Sequence, residues 1–156
     1  MSQKPIPAKL IPLPETNSFY PEPFASLMAG RDKRKLGDHF ALTNFGINQT
    51  TLAPGAISAL SHHHSKQDEF IYILEGAATL LCGEDEYQMS PGDCMGFKAG
   101  AGVASQLVNR TSEPVVYLEV GDRTVGDGVE YPNEDLKAEQ QPNGAWEFTH
   151  KDGRPY

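Results

Sequence analysis

The stretch Gly55–Gly76, GAISALSHHHSKQDEFIYILEG, decides how this chain is read. It sets His62, His63 and His64 in a row and Glu69 five residues further on, inside a run that otherwise has the β-branched and aromatic character of strand. As a strand over residues 56–64, Leu60, His62 and His64 face one way while Ile57, Ala59 and His63 face the other. The two imidazoles sharing a face stand roughly 6.5 Å apart at the backbone, from ~3.3 Å of rise per residue, a span that inward-leaning side chains close around one ion. The segment Glu69–Glu75 alternates again, with Glu69, Ile71 and Ile73 on one face and Phe70, Tyr72 and Leu74 on the other. A carboxylate at the head of a core-facing row is costly without a partner. A divalent cation held by His62, His64 and Glu69 is one such partner, and a hydrogen-bonded polar cluster without metal is the other.

Outward from this stretch the chain continues in short β-like pieces. Upstream, alternation from His39 to Ala53 reads as a strand, and Pro54-Gly55 turns it into the histidine segment. Downstream come Ala77–Cys82, a hairpin tip at Gly83–Glu86, Tyr87–Met89, a turn at Pro91–Asp93, Cys94–Lys98, Val103–Asn109 and Val115–Val120. Seven or eight short strands with no helix between them predict an all-β, antiparallel sandwich or barrel whose interior suits a ligand. Half of the twelve prolines fall in residues 1–24, so this arm is expected to be extended. Residues 25–35 read as one helical turn ending near Gly30, followed by a basic cluster at Arg31, Lys33, Arg34 and Lys35 that is expected to be a solvated loop partly neutralised by Asp32, with a phosphate or anion site the weaker alternative. The division expected is an arm and loop over 1–38, a barrel over 39–120 and a C-terminal extension over 121–156. That extension docks through Tyr131, Trp146 and Phe148.

Charge and composition exclude several classes of partner. The formal net charge is −8, with 21 acidic against 13 basic residues, which opposes sequence-independent binding to nucleic acid. No apolar run approaches the ~20 residues of a membrane span, and the opening MSQKPIPAKL has no signal-peptide core. The expectation is a soluble, cytoplasmic protein that does not engage membranes. Its two cysteines, Cys82 and Cys94, read as reduced thiols.

Two longer patterns now carry a resemblance. Pro54-Gly55, His62-x-His64, Glu69 and Gly76 resemble the first signature motif of the cupin superfamily, with one extra residue after Gly55. The block from Gly83 through Pro91-x-Asp93 to Asn109 resembles the second. The segments YPEPF, LTNFG and HKDGRPY are similar to small single-domain bacterial cupins. The resemblance implies a double-stranded β-helix, or jelly-roll barrel, often dimeric, with a divalent transition metal (Zn, Fe, Mn or Ni) in its mouth. It carries His62, His64 and Glu69 over as metal ligands. It also exposes a departure, because Ser105 stands where the second motif supplies a further histidine. A serine hydroxyl is a poor ligand beside imidazole.

The remaining candidates have plainer roles. His63 is expected to face outward, Asp68 to be a solvated loop acid, and Glu84 and Glu86 to mark a turn. Tyr72, Met95 and Phe97 read as barrel wall, and His150 as an isolated tail residue that is a weaker candidate for closing the mouth. No catalytic residue is assigned. Two function classes follow. One is a metal-dependent enzyme of oxygenase or isomerase type acting on a small polar molecule. The other is a non-catalytic cupin with a degenerate metal site, small-molecule-binding or structural and regulatory in role, and in either case a homodimer is expected.

Overall fold

Runs of β-branched and aromatic residues cut at short intervals by glycine and proline leave little room for helix, and the backbone follows them. The computed structural model describes residues 4–16 and 18–156, so residues 1–3 and Asn17 of the proline-rich arm lie outside the described residues. Among the described residues, helix is confined to 3-10 turns at Ala8–Leu10 and Ala25–Met28 and a single turn, α1, at Leu36–His39. Among the described residues no helix is long and apolar enough to cross a membrane.

Three antiparallel sheets form the body. The first runs β1 (Arg31–Lys35), β2 (Phe45–Leu52), β9 (Val115–Asp122), β4 (Glu69–Glu75) and β7 (Cys94–Phe97). The second runs β6 (Asp85–Met89), β5 (Ala78–Cys82) and β8 (Ser105–Val108), and the third β12 (Trp146–Thr149), β11 (Leu136–Gln140), β10 (Gly128–Tyr131) and β3 (His63–His64). This is the all-β, antiparallel architecture that the strand spacing predicts, and it fits the jelly roll that the resemblance implies. One apolar cluster, including Leu52, Ile73, Leu80, Leu107 and Val115, fills the space between the first two sheets. A second gathers Phe24, Met28, Leu60, Val129, Tyr131 and Leu136, with Tyr20, Trp146 and Phe148 packed against it. Rings from both chain ends meet there, Tyr20 lying 5.8 Å edge-on from Tyr131 and from Phe148.

Local expectations are corrected at three places. The basic run expected to be a solvated loop is strand β1, paired along its whole length with β2. The strand expected over 56–64 is reduced to single bridges, Ile57 with Val108 and His62 with Ser105, plus the two-residue β3. The strand expected from His39 begins at Phe45, after α1.

Two motif residues hold the end of the roll. Gly76 takes φ 76°, and a Cβ there would meet the Pro114 carbonyl oxygen at 2.4 Å, so only glycine fits. Asn109 is fully buried; its amide donates to the carbonyls of Leu52 at 2.9 Å and Glu113 at 2.8 Å. Its oxygen accepts from the amide and hydroxyl of Thr111. The side chain thereby replaces backbone pairing where the chain turns from β8 to β9.

Candidate metal centre

The short strand β3 and the start of β4 bring three ligand-type side chains together. His62 pairs with Ser105 across a bridge, and His64 pairs with Val129 of β10, so both backbones are fixed before the side chains are considered. Alternation holds across the triplet: His62 and His64 face inward, and His63 turns away to stand 3.6 Å from Glu130. The His62 Nε2 and His64 Nε2 atoms each lie 3.6 Å from Glu69 Oε2. One ligand atom from each of the three residues falls within 4.8 Å of the others.

The partners of the other ring nitrogens set the protonation. His62 Nδ1 lies 2.7 Å from the Leu60 carbonyl oxygen, and His64 Nδ1 lies 2.5 Å from Asp127 Oδ2. A carbonyl and a carboxylate only accept, so Nδ1–H donates in both rings and each Nε2 lone pair is left aimed at the common point. Two ligands ~2.1 Å from a shared ion at the tetrahedral angle stand ~3.4 Å apart, close to the separations found. The donor set therefore fits a divalent metal.

Without an ion the same residues hold each other by charge. Burial alone raises the Glu69 carboxyl, but the hydrogen bond and charge of His62, with the charges of His64 and Lys33, outweigh it and bring the group down to about 2. Burial also opposes a charged His62, yet the hydrogen bond and charge of Glu69 raise it above its ordinary value.

Asp127 joins the candidate site, and sequence reasoning missed it. It is buried at 2% exposure and accepts from His64, from Ser65 Oγ at 3.1 Å and from the Lys66 amide at 2.7 Å. Burial disfavours its charge, but the His64 and Lys66 hydrogen bonds and the His64 charge keep it below the usual carboxylate range. A carboxylate behind a ligating histidine fixes the ring and raises its basicity. The sequence signal was weak, an aspartate between glycines in what reads as a tail.

Ser105, 8% exposed, lines the same cavity as His62, His64 and Glu69. The cavity encloses about 340 Å³. Tyr20, Tyr131, Trp146 and Phe148 form an aromatic wall, while Arg31, Lys33 and Glu119 are polar lining. Phe97 also faces it, whereas Met95 packs against the first core cluster and Tyr72 is 39% exposed. Other candidates sit elsewhere. Asp68 accepts from the Ala99 amide at 2.7 Å, His150 bonds Asp135 and stacks on Tyr156 at 4.0 Å, and Glu86 pairs with Arg110 at the hairpin tip.

Comparison with known proteins meets this geometry at the level of the whole chain. A family model described as Cupin domain matches residues 48–121. A structure from Silicibacter pomeroyi, named as a sugar phosphate isomerase from a cupin superfamily, is 42% identical; the match covers 89% of this chain and 88% of that one, with a TM-score of 0.84. The chain belongs to the cupin superfamily. A second structure, named as a putative sugar phosphate isomerase from Acidithiobacillus ferrooxidans, is 32% identical over 81% of this cupin and 80% of its own chain, with a TM-score of 0.72. The polyketide cyclase RemF from Streptomyces resistomycificus, at 18% identity and a TM-score of 0.62 over 78% of this cupin and 80% of its own chain, shares the fold. No curated protein matches this cupin in sequence.

Proposed function

We propose that this cupin is a metal-dependent isomerase of a small phosphorylated sugar, with His62, His64 and Glu69 holding the metal. The observation that carries the reading is the convergence of two Nε2 lone pairs and the Glu69 carboxylate, 3.6 Å apart, on a cavity of about 340 Å³. That volume lies near the small end of ligand pockets, which span ~300–1,000 Å³. A bound divalent ion supplies Lewis acidity, polarising a carbonyl or hydroxyl oxygen. The remaining work belongs to the chain. Asp127 holds the His64 ring in one tautomer, the Leu60 carbonyl does the same for His62, and the aromatic wall limits water. A centre of two imidazoles and one carboxylate with open positions admits oxygenase as well as isomerase chemistry. The names of the two relatives at 42% and 32% identity favour the isomerase reading.

The test is proton exchange followed by NMR in heavy water, with metal-loaded protein and a panel of sugar phosphates. The reading expects deuterium to appear on the carbon next to the carbonyl, together with conversion between aldose and ketose. Ser105, placed where a ligand histidine is expected, favours the second reading, a cupin that binds a small molecule without turning it over. Saturable binding with no exchange in any member of the panel establishes that second reading instead. The proposal includes a cytoplasmic homodimer. It is supported by the free thiols of Cys82 and Cys94 and by Phe70 and Tyr72, which remain 40% and 39% exposed on the first sheet.

A further inference from the structure

Strand β1 has the wrong chemistry for an ordinary barrel wall. Its register with β2 sets Arg31 opposite Leu52 and Lys33 opposite Thr50, and the β2–β9 register continues those rows to Val115 and Tyr117, which are buried. Arg31 and Lys33 thus occupy the inward row, and both line the cavity. Arg31 is 6% exposed, and its Nη1 donates to the Ser58 carbonyl at 2.6 Å. Basic residues are rarely buried, and a chain with a net charge of −8 has few to spare for its interior.

Glu119 of β9 stands beside Lys33. Its Oε1 accepts from Lys33 Nζ at 2.5 Å and Asn48 Nδ2 at 2.9 Å, and its Oε2 accepts from the Tyr117 hydroxyl at 3.1 Å. The side chains of Lys33 and Glu119 keep 26% and 21% exposure, so the pair opens on the cavity rather than being sealed within the wall. Glu119 has two other donors to hold it if Lys33 leaves. Lys33, on its flexible four-carbon stem, is the member free to turn.

We propose that Lys33 and Arg31 form an anion subsite that receives the phosphoryl group of a substrate whose hydroxycarbonyl end lies at His62, His64 and Glu69, with Lys33 exchanging Glu119 for phosphoryl oxygens. The inference rests on the isomerase reading of this cavity and adds the residues that select a phosphorylated substrate. A guanidinium offers a planar fork and an ammonium a point charge, and together they suit a group carrying nearly two negative charges and three oxygens. The ends are separate. Strands β1 and β4 are three strand spacings apart, roughly 14 Å along a flat sheet and less across a curled one, so one small molecule reaches both while inorganic phosphate occupies only the basic end.

Trp146 is the single tryptophan of the chain and lines the cavity, so its fluorescence reports occupancy. Metal-free full-length protein is titrated with inorganic phosphate at constant ionic strength. The wild type is expected to bind saturably. Lys33→Met should weaken binding roughly tenfold or more, as loss of a charge-assisted hydrogen bond does. Glu119→Gln should tighten binding, because it releases Lys33 from its competing carboxylate. Ribose 5-phosphate should displace phosphate, and ribose should not. No saturable response in the wild type, an unchanged affinity in Lys33→Met, or weaker binding in Glu119→Gln overturns the subsite. Ribonate binding as tightly as ribose 5-phosphate overturns the phosphoryl assignment. The isomerase reading fails separately, through the absence of exchange in metal-loaded protein, and phosphate binding with these opposite signs stands even then.

Discussion

Replacing Ser105 with histidine tests the centre at its open position. Ser105 and His62 exchange backbone hydrogen bonds in both directions, at 2.9 and 3.2 Å, so their side chains leave the sheet next to each other on the same face. An imidazole at 105 therefore starts beside the His62 ring, in a wall that already borders the cavity. Even partners that only orient a ligand change metal affinity ~10–100-fold, so a direct fourth ligand is expected to gain at least that, or ~1.4–2.8 kcal/mol. Without metal the larger side chain costs about 1–3 kcal/mol of overpacking, lessened by the neighbouring cavity. The variant should melt lower than wild type when stripped, by ~2–4 °C per kcal/mol at this chain length, and recover when loaded. The assay is calorimetric titration with Zn²⁺ and Mn²⁺ near neutral pH on wild type, Ser105→His and His62→Ala, paired with melts with and without metal. Equal and negligible affinity in all three removes the metal reading. Loss in His62→Ala with no gain in Ser105→His refutes the placement of Ser105 beside the ion.

Asp127→Asn replaces an acceptor-only carboxylate with an amide that can present its NH₂ to His64. Metal affinity should fall ~10–100-fold while the fold survives, and titration read against circular dichroism separates the two effects. The pH dependence of metal-free stability follows from His62 and Glu69. His62 is raised above 6.5, so its contribution is fully present below 6.5 and is lost as pH rises through the folded value. Glu69 is lowered from 4.5 to about 2, so its contribution is present above 4.5 and is lost as pH falls toward 2. Denaturation midpoints should therefore peak between pH 4.5 and 6.5, and saturating metal should remove the alkaline decline. A midpoint rising steadily from pH 5 to pH 8 without metal contradicts the ion pair. Light scattering should give twice the chain mass; a monomer at working concentration ends the homodimer proposal.

The candidate ligands were legible because a period of two is a strong local signal. His62-x-His64 must share a face in extended chain, and Glu69 heads the buried row of Ile71 and Ile73. The alternation from Ala78 to Leu107 gave the central strands for the same reason. Strand β1 was hidden because its inward residues are cations, which periodicity arguments assign to solvent, and their partners lie far along the chain, Ser58 for Arg31 and Glu119 for Lys33. Asp127 was hidden by distance: its partner His64 lies 63 residues earlier, and no local pattern links the two. The C-terminal strands GVEY, LKAEQ and WEFT are too short and polar to announce a sheet, and their stability comes from pairing and from the second apolar cluster.

The centre is spliced from two stretches of chain that are made at different times. His64 is paired with Val129, bonded to Asp127 and faced by Trp146 at 6.4 Å, all of which leave the ribosome after the histidines themselves. At ~5–20 residues per second, roughly 3–13 s separate the synthesis of His62 from that of Asp127. Throughout that interval His62 already has the Leu60 carbonyl two residues away to hold its Nδ1, while His64 has no carboxylate to choose between its ring nitrogens. The His64 tautomer is therefore fixed only by the late stretch of chain, when Asp127 bonds it and the third sheet closes on β3.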